Sequence, residues 1–210
     1  LEAGNNITIA NGAAIVASGD WSVTLEAGRN FNAGAHVVTP GLGVIALNGT
    51  GSIESARGDI QLRAGNNVTV AAGSVRTTDH GNIAVKADSG NIVTGTKANG
   101  FRFLPTGYEV DADLGGISTA NGGNVHLDAG QDVISYLPFA GGIQSDAGSG
   151  AFGSDPGNVI VEAGRDVAGH FVVRNGEGRI SAGRDAGTAS RLLALSLISR
   201  SWAVEAGRDI

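Results

Sequence analysis

Three observations predict an all-β fold, a parallel β-helix or β-solenoid. A short phrase recurs along the chain, side chains alternate with period two inside each recurrence, and Gly stands beside Asn or Asp where each recurrence turns. The phrase is an apolar residue, any residue, Ala-Gly, a polar residue, Asn or Asp, and usually an apolar residue. It reads Leu1-Glu2-Ala3-Gly4-Asn5-Asn6-Ile7, then Leu25-Glu26-Ala27-Gly28-Arg29-Asn30-Phe31. It returns as Leu62-Arg63-Ala64-Gly65-Asn66-Asn67-Val68 and Leu127-Asp128-Ala129-Gly130-Gln131-Asp132-Val133, and three late copies begin at Val161, Ile180 and Val204. Val85-Lys86-Ala87-Asp88 is a degraded copy.

Each element has a local reason. Ile60, Leu62 and Ala64 alternate with Asp59, Gln61 and Arg63, and Val125 and Leu127 with His126 and Asp128, as in a strand with one buried face. Gly58-Asp59, Gly81-Asn82, Gly123-Asn124 and Gly157-Asn158 supply left-handed or Asx-turn corners before the strands. Ala-Gly marks a corner too tight for a Cβ. Helical spacing is nearly absent; even Arg191 to Val204 alternates at Leu193, Leu195 and Leu197, which predicts a strand. The Ala-Gly glycines at 4, 28, 65, 130, 164, 183 and 207 are 24, 37, 65, 34, 19 and 24 residues apart, and Gly58, Gly81 and Gly123 divide the long gap into 23 and 42. Intervals of 19 to 24 read as one coil and 37 or 42 as two, while 34 is two short coils or one with an insertion. The expectation is about 9–10 coils of roughly 19–24 residues, a rod of roughly 45 Å at one strand spacing per coil. A sandwich would give no reason for one phrase to recur in register.

Composition narrows the function classes. The chain has 210 residues with 35 Gly and no Cys or Met, so disulfides, thiolate metal sites and cysteine nucleophiles are excluded. A net charge of −6 argues against a nucleic-acid partner. No apolar run approaches the roughly 18 residues of a membrane span. The sequence opens and closes in mid-phrase, from which a piece of a longer chain is expected. The residue before Ala runs Glu2, Glu26, Arg63, Lys86, Asp128, Glu162, Ser181, Glu205, a tolerable outer column of mixed sign. Asn6, Asn30 and Asn67 give way to Arg165-Asp166, Arg184-Asp185 and Arg208-Asp209, read as a self-neutralising structural pair of columns.

These phrases, with Ala-Gly-Asn-Asn-Val-Thr-Val at residues 64–70 and Gly-Asn-Ile before an alternating strand, resemble the filamentous haemagglutinin family of bacterial exoproteins. The resemblance spans most of the chain and rests on degenerate repeats; the Asn-Pro-Asn-type motif of that family's secretion domain is absent. It implies a right-handed β-helical shaft, two-partner secretion through an outer-membrane transporter, and a secreted or cell-surface adhesin. Such a rod would be monomeric, with end-to-end association expected where a truncated solenoid leaves open ladders. The alternatives are the stalk of a contact-dependent toxin-delivery exoprotein and a polysaccharide-degrading β-helix enzyme.

Candidate sites are few. Two spans break the repeat, 97–116 and 134–157, and they hold Phe101, Phe103, Tyr108, Tyr136, Phe139 and Phe152 with three of the four prolines. Inserts on a rigid scaffold are where binding is usually carried. Their aromatics would stack on a cell-surface glycan or protein receptor, or fold down as a satellite core; the second is the preferred expectation. Arg57-Gly58-Asp59 is an integrin-type receptor tripeptide, although the repeat already accounts for Gly58 and Asp59. Glu109, Asp111 and Asp113 share one face of a strand, about 6.6 Å apart, too far to share a calcium ion unaided. His36, His80, His126 and His170 are scattered and no third group is evident beside any of them. Neither catalysis nor a cofactor or metal is expected. Three Asn-x-Thr sequons, at Asn6, Asn48 and Asn67, are read as coincidence in an Asn- and Thr-rich repeat.

Overall fold

Alternation, corner glycines and a repeated phrase act together only if equivalent residues of successive coils stack, and they do. The computed structural model describes residues 1–32, 37–96, 101–104, 107–110, 115–136 and 148–210. Among the described residues there is no helix, and eighteen strands join in one parallel hydrogen-bonded network wound into a β-helix. The coil has three faces. The first stacks Glu2–Ala3, Val23–Ala27, Ile60–Ala64, Ile83–Ala87, Val125–Ala129 and Val159–Ala163, then residues 178–182 and 202–206. The second stacks Ile7–Ile9, Ile45–Leu47, Val68–Val70, Ile92–Val93, Val133–Ile134 and residues 167–168. The third stacks Ala14–Ala17, Ser52–Ser55, Ser74–Thr77, Gly116–Thr119, Ser149–Ala151, then residues 171–173 and 195–197.

The register aligns the phrase with itself. Leu25, Leu62, Val85, Leu127, Val161, Ile180 and Val204 form one inward column, and Ala27, Ala64, Ala87, Ala129, Ala163, Ala182 and Ala206 form another. Each buried Leu or Ile in such a column contributes roughly 1.5–3 kcal/mol of transfer free energy. A third inward column runs from Val23 through Ile60, Ile83, Val125 and Val159 to Gly178, where a Cβ would overlap the Trp202 ring, so the missing side chain makes room for the indole above it. The segment from Leu193 is a strand, as its alternation predicts, and runs to Ala206.

The coil count differs from expectation. Glu2, Glu26, Arg63, Lys86, Asp128, Glu162, Ser181 and Glu205 sit one above another on consecutive rungs, so the described residues form eight rungs. Seven strand spacings give a stack of about 34 Å. The 37- and 42-residue intervals are therefore single coils with long corners, and so is the 34-residue interval. Residues 29–43 form the first long corner, between the first and second faces. The other two connections, 94–115 and 135–148, join the second face to the third on consecutive rungs. The first of these carries an antiparallel hairpin, Phe101–Leu104 with Gly107–Val110. Within the expected 134–157 insert, Ser149–Ala151 is a third-face strand and belongs to the rod.

Corner glycines are demanded by rung spacing. Their Cα hydrogens point along the axis at the rung below. A Cβ on Gly81, Gly123, Gly157 or Gly176 would overlap the carbonyl oxygen of the preceding glycine in that column, beginning with Gly58. The Ala-Gly column behaves alike from Gly130 through Gly164 and Gly183 to Gly207.

Candidate functional site

Candidate binding residues lie on corners, so the chemistry of each corner decides what is left for a ligand. Between the third and first faces a side chain of each rung accepts the amide N–H of the next. Ser22 Oγ accepts from Asp59 N at 3.1 Å, Asp59 Oδ1 from Asn82 N at 2.9 Å, and Asn82 Oδ1 from Asn124 N at 3.0 Å. Asn124 Oδ1 accepts from Asn158 N and Asn158 Oδ1 from Glu177 N, both at 2.9 Å. These bonds satisfy donors that a turn leaves without a strand partner.

The receptor tripeptide is part of this ladder. Asp59 also accepts from Asn82 Nδ2 at 3.0 Å, Gly58 packs its backbone against the Trp21 carbonyl, and Arg57 Nε donates to Asp20 Oδ1 at 2.7 Å. Asp79 stands 3.7 Å from the Arg57 guanidinium; Asp20 first, and Asp79 more weakly, raise its pKa above the ordinary value. Both charged ends of Arg57-Gly58-Asp59 are thus engaged within the rod.

The corner between the first and second faces carries the second ladder. Asn6 Oδ1 accepts from Val44 N at 3.0 Å, Asn67 Oδ1 from Asn91 N at 2.8 Å, and Asn91 Oδ1 from Asp132 N at 3.0 Å. From Asp132 onward the acceptor is a carboxylate, and an arginine of the following rung grips it. Arg165 donates Nε and Nη2 to Asp132 at 3.0 and 2.7 Å, while Arg184 grips Asp166 and Arg208 grips Asp185 through the same two nitrogens. Asp enters the sequence one copy before Arg because the pair is made between rungs. Arg184 holds Asp166 below the usual carboxylate range, against the opposing effect of its burial.

The aromatics divide. Phe152 is fully buried at 0% exposure, with its amide on Thr119 O at 2.8 Å, so it lies in the packed interior, closed to a ligand. Tyr136 is half-buried, and its carbonyl accepts from His170 N. Phe101, Phe103 and Tyr108 lie on the hairpin strands, Phe103 opposite Tyr108 in register, and Glu109 opposite Arg102. Phe139, His36, Asp111 and Asp113 lie outside the described residues.

The histidines have partners the sequence did not reveal. His126 Nε2 meets Glu162 at 2.9 Å rather than Asp128, which pairs with Lys86. His80 meets Asp79 and also Asp155, 75 residues away. His170 Nε2 lies 2.8 Å from Ser196 Oγ, but at 2% exposure the imidazole is closed to a substrate. No group of three His, Asp or Glu suited to a metal ion occurs among the described residues. A cavity of about 830 Å3 lined by Leu193, Leu195, Val204 and Ile210 is the open mouth of the core at the last rung. A depression of about 300 Å3 crosses the outer first face over Gln61 and Ala84, rimmed by Arg63, Lys86 and His126.

One surface escaped the sequence reading. The 29–43 corner exposes Phe31, Val37 and Leu42, and its backbone docks on Gly28 and Gly65. Thr39-Pro40-Gly41 inside a 37-residue interval is the turn signal that could have marked it as a loop rather than a second coil. No family model, curated protein or solved structure matches the chain.

Proposed function

We propose that this chain is a segment of the shaft of a large secreted or cell-surface bacterial adhesin of the haemagglutinin type, exported by two-partner secretion. The rod spaces and presents an attachment surface for a glycan or protein receptor. The observation that carries the reading is where the polar chemistry goes. Both corner ladders direct Asn, Asp and Arg along the axis to the next rung, which is what a load-bearing rod requires and what a catalytic groove would not. Within that reading, the attachment surface belongs to the two long connections at 94–115 and 135–148, which join the second face to the third on consecutive rungs.

A glycan and matrix-protein binding array tests it. The chain is compared with a variant in which residues 98–114 and 137–147 are replaced by short Gly-Asn turns, leaving Ser149–Phe152 in place. Binding that disappears with the inserts supports an attachment surface there. Binding retained by the variant moves the surface elsewhere, and absence of binding in both leaves a spacer only.

A further inference from the structure

One side chain on the corner between the third and first faces belongs to neither ladder. His80 stands in the left-handed region with φ of 70°, a backbone conformation that non-glycine residues seldom adopt. Its ring holds two carboxylates, Asp79 Oδ1 at 2.5 Å from Nδ1 and Asp155 Oδ2 at 3.0 Å from Nε2. Asp155 sits on a corner two rungs further along, so the imidazole crosses the intervening corner. That corner is Gly122, with φ of 89°, where a Cβ would press on both His80 Cδ2 and Asp155 Cβ. The site is therefore shaped around the crossing.

Only the imidazolium can satisfy this geometry. With both nitrogens protonated, each donates to one carboxylate; a neutral ring has one N–H and one lone pair, and the lone pair must face an anion. The charged groups around the ring are Asp79 on its own turn and Asp155 from the later corner. Arg57 reaches Asp79 at 3.7 Å from the preceding corner, and Asp20 holds Arg57 at 2.7 Å. Asp79 keeps Arg57 as a cationic neighbour when the ring is neutral, so the Asp155 contact is the one that opens.

We propose that His80 is a pH-responsive clamp across three rungs, closed in the imidazolium form and loosened when the ring becomes neutral. The element it governs is the corner at 153–157, which follows Ser149–Ala151 and whose other side is held by Asn175 Nδ2 on Ser154 O at 2.8 Å. The direction follows from linkage. Hydrogen bonding to Asp79, with a smaller effect of Asp155, raises the His80 pKa above 6.5. The clamp therefore contributes fully below pH 6.5 and is lost as pH rises through the higher native value.

The test uses the intact chain, His80→Asn and Asp155→Asn; Asn tolerates the left-handed backbone and does not titrate. Ring titrations are read by NMR, and exchange of the Gly157 amide, which donates to Asn175 O at 2.9 Å, is compared at pH 5.5 and 8.5 after correction for the intrinsic rate. The expected result is a His80 midpoint above 6.5 that falls toward 6.5 in Asp155→Asn. Protection of the Gly157 amide should drop several-fold at high pH in the native chain and stay level in His80→Asn. A midpoint at or below 6.5, or the same pH-dependent loss of protection in His80→Asn, overturns the clamp.

Discussion

The corner between the first and second faces is built twice, in two chemistries. In the early rungs Asn accepts the next rung's amide at 2.8–3.0 Å, from Asn6 through Asn67 to Asn91. In the late rungs Asp does so at 3.2 Å for Asp166 N on Asp132 and 3.3 Å for Asp185 N on Asp166. The lengthening has a cause. The same Oδ1 also accepts the arginine Nε of the following rung, at 3.0 Å for Arg165 and 2.7 Å for Arg184. The charged ladder does not add a salt bridge to the neutral one; it transfers part of the acceptor from the amide to a bidentate guanidinium. Along this ladder of amide acceptors, cohesion depends on charge in the late rungs and not in the early ones.

The largest expected effect lies in what both ladders rest on. Gly164→Ala forces a Cβ into the Gly130 carbonyl beneath the Arg165–Asp132 pair, and overpacking of that kind should cost roughly 3 kcal/mol. The same column holds a natural exception, because Asp88 occupies the glycine slot with its carboxylate tucked under Arg63 at 3.0 Å. Asp88→Ala retains the Cβ that this rung already accommodates and should cost less. Chemical denaturation of both variants ranks them. Equal losses would mean that the column is not limited by the close approach of its backbones.

A smaller effect separates the charged ladder from an ordinary outer-face pair. Arg184→Ala should lower Tm by roughly 3 °C, since it leaves Asp166, mostly buried, without its guanidinium. Arg76→Ala removes the partner of Glu54, a carboxylate about a third exposed and able to rehydrate, and should lower Tm less. Equal shifts in thermal melts would reduce the Arg–Asp column to surface decoration.

Much of this was legible in the sequence, for definite reasons. Period-two alternation and a phrase repeated in register specify stacked strands, because a one-residue slip would turn every apolar side chain outward. The glycine columns were legible for the same reason, since only backbone contact along the axis makes Gly recur there. Coil number was not legible. Corners can lengthen without disturbing the register, so Gly28 to Gly65 reads as two coils by length and is one by pairing. The Asp79–His80–Asp155 bridge was equally hidden, because 75 residues and an intervening rung separate its ends. Phe152 is buried, as the preferred expectation for the aromatics has it, but the insert boundary was hidden: Gly148-Ser149-Gly150-Ala151 looks like loop, yet Ser149–Ala151 is a strand whose Gly150 lies where a Cβ would meet the Val172 carbonyl.

Acid offers the finest separation of the two halves. Asp166 has its pKa lowered in the native rod, chiefly by Arg184, so its contribution to stability is present above pH 3.8 and is lost as pH falls through the lower native value. The Asn ladder has nothing to protonate over that range. Between pH 5 and 2.5, amide exchange corrected for intrinsic rate should therefore accelerate at Asp185, whose N–H rests on Asp166, more than at Asn91, whose N–H rests on Asn67. Uniform acceleration along the ladder would mean that the rod yields to acid as one unit, and that Arg and Asp in the late rungs do for cohesion no more than Asn does in the early ones.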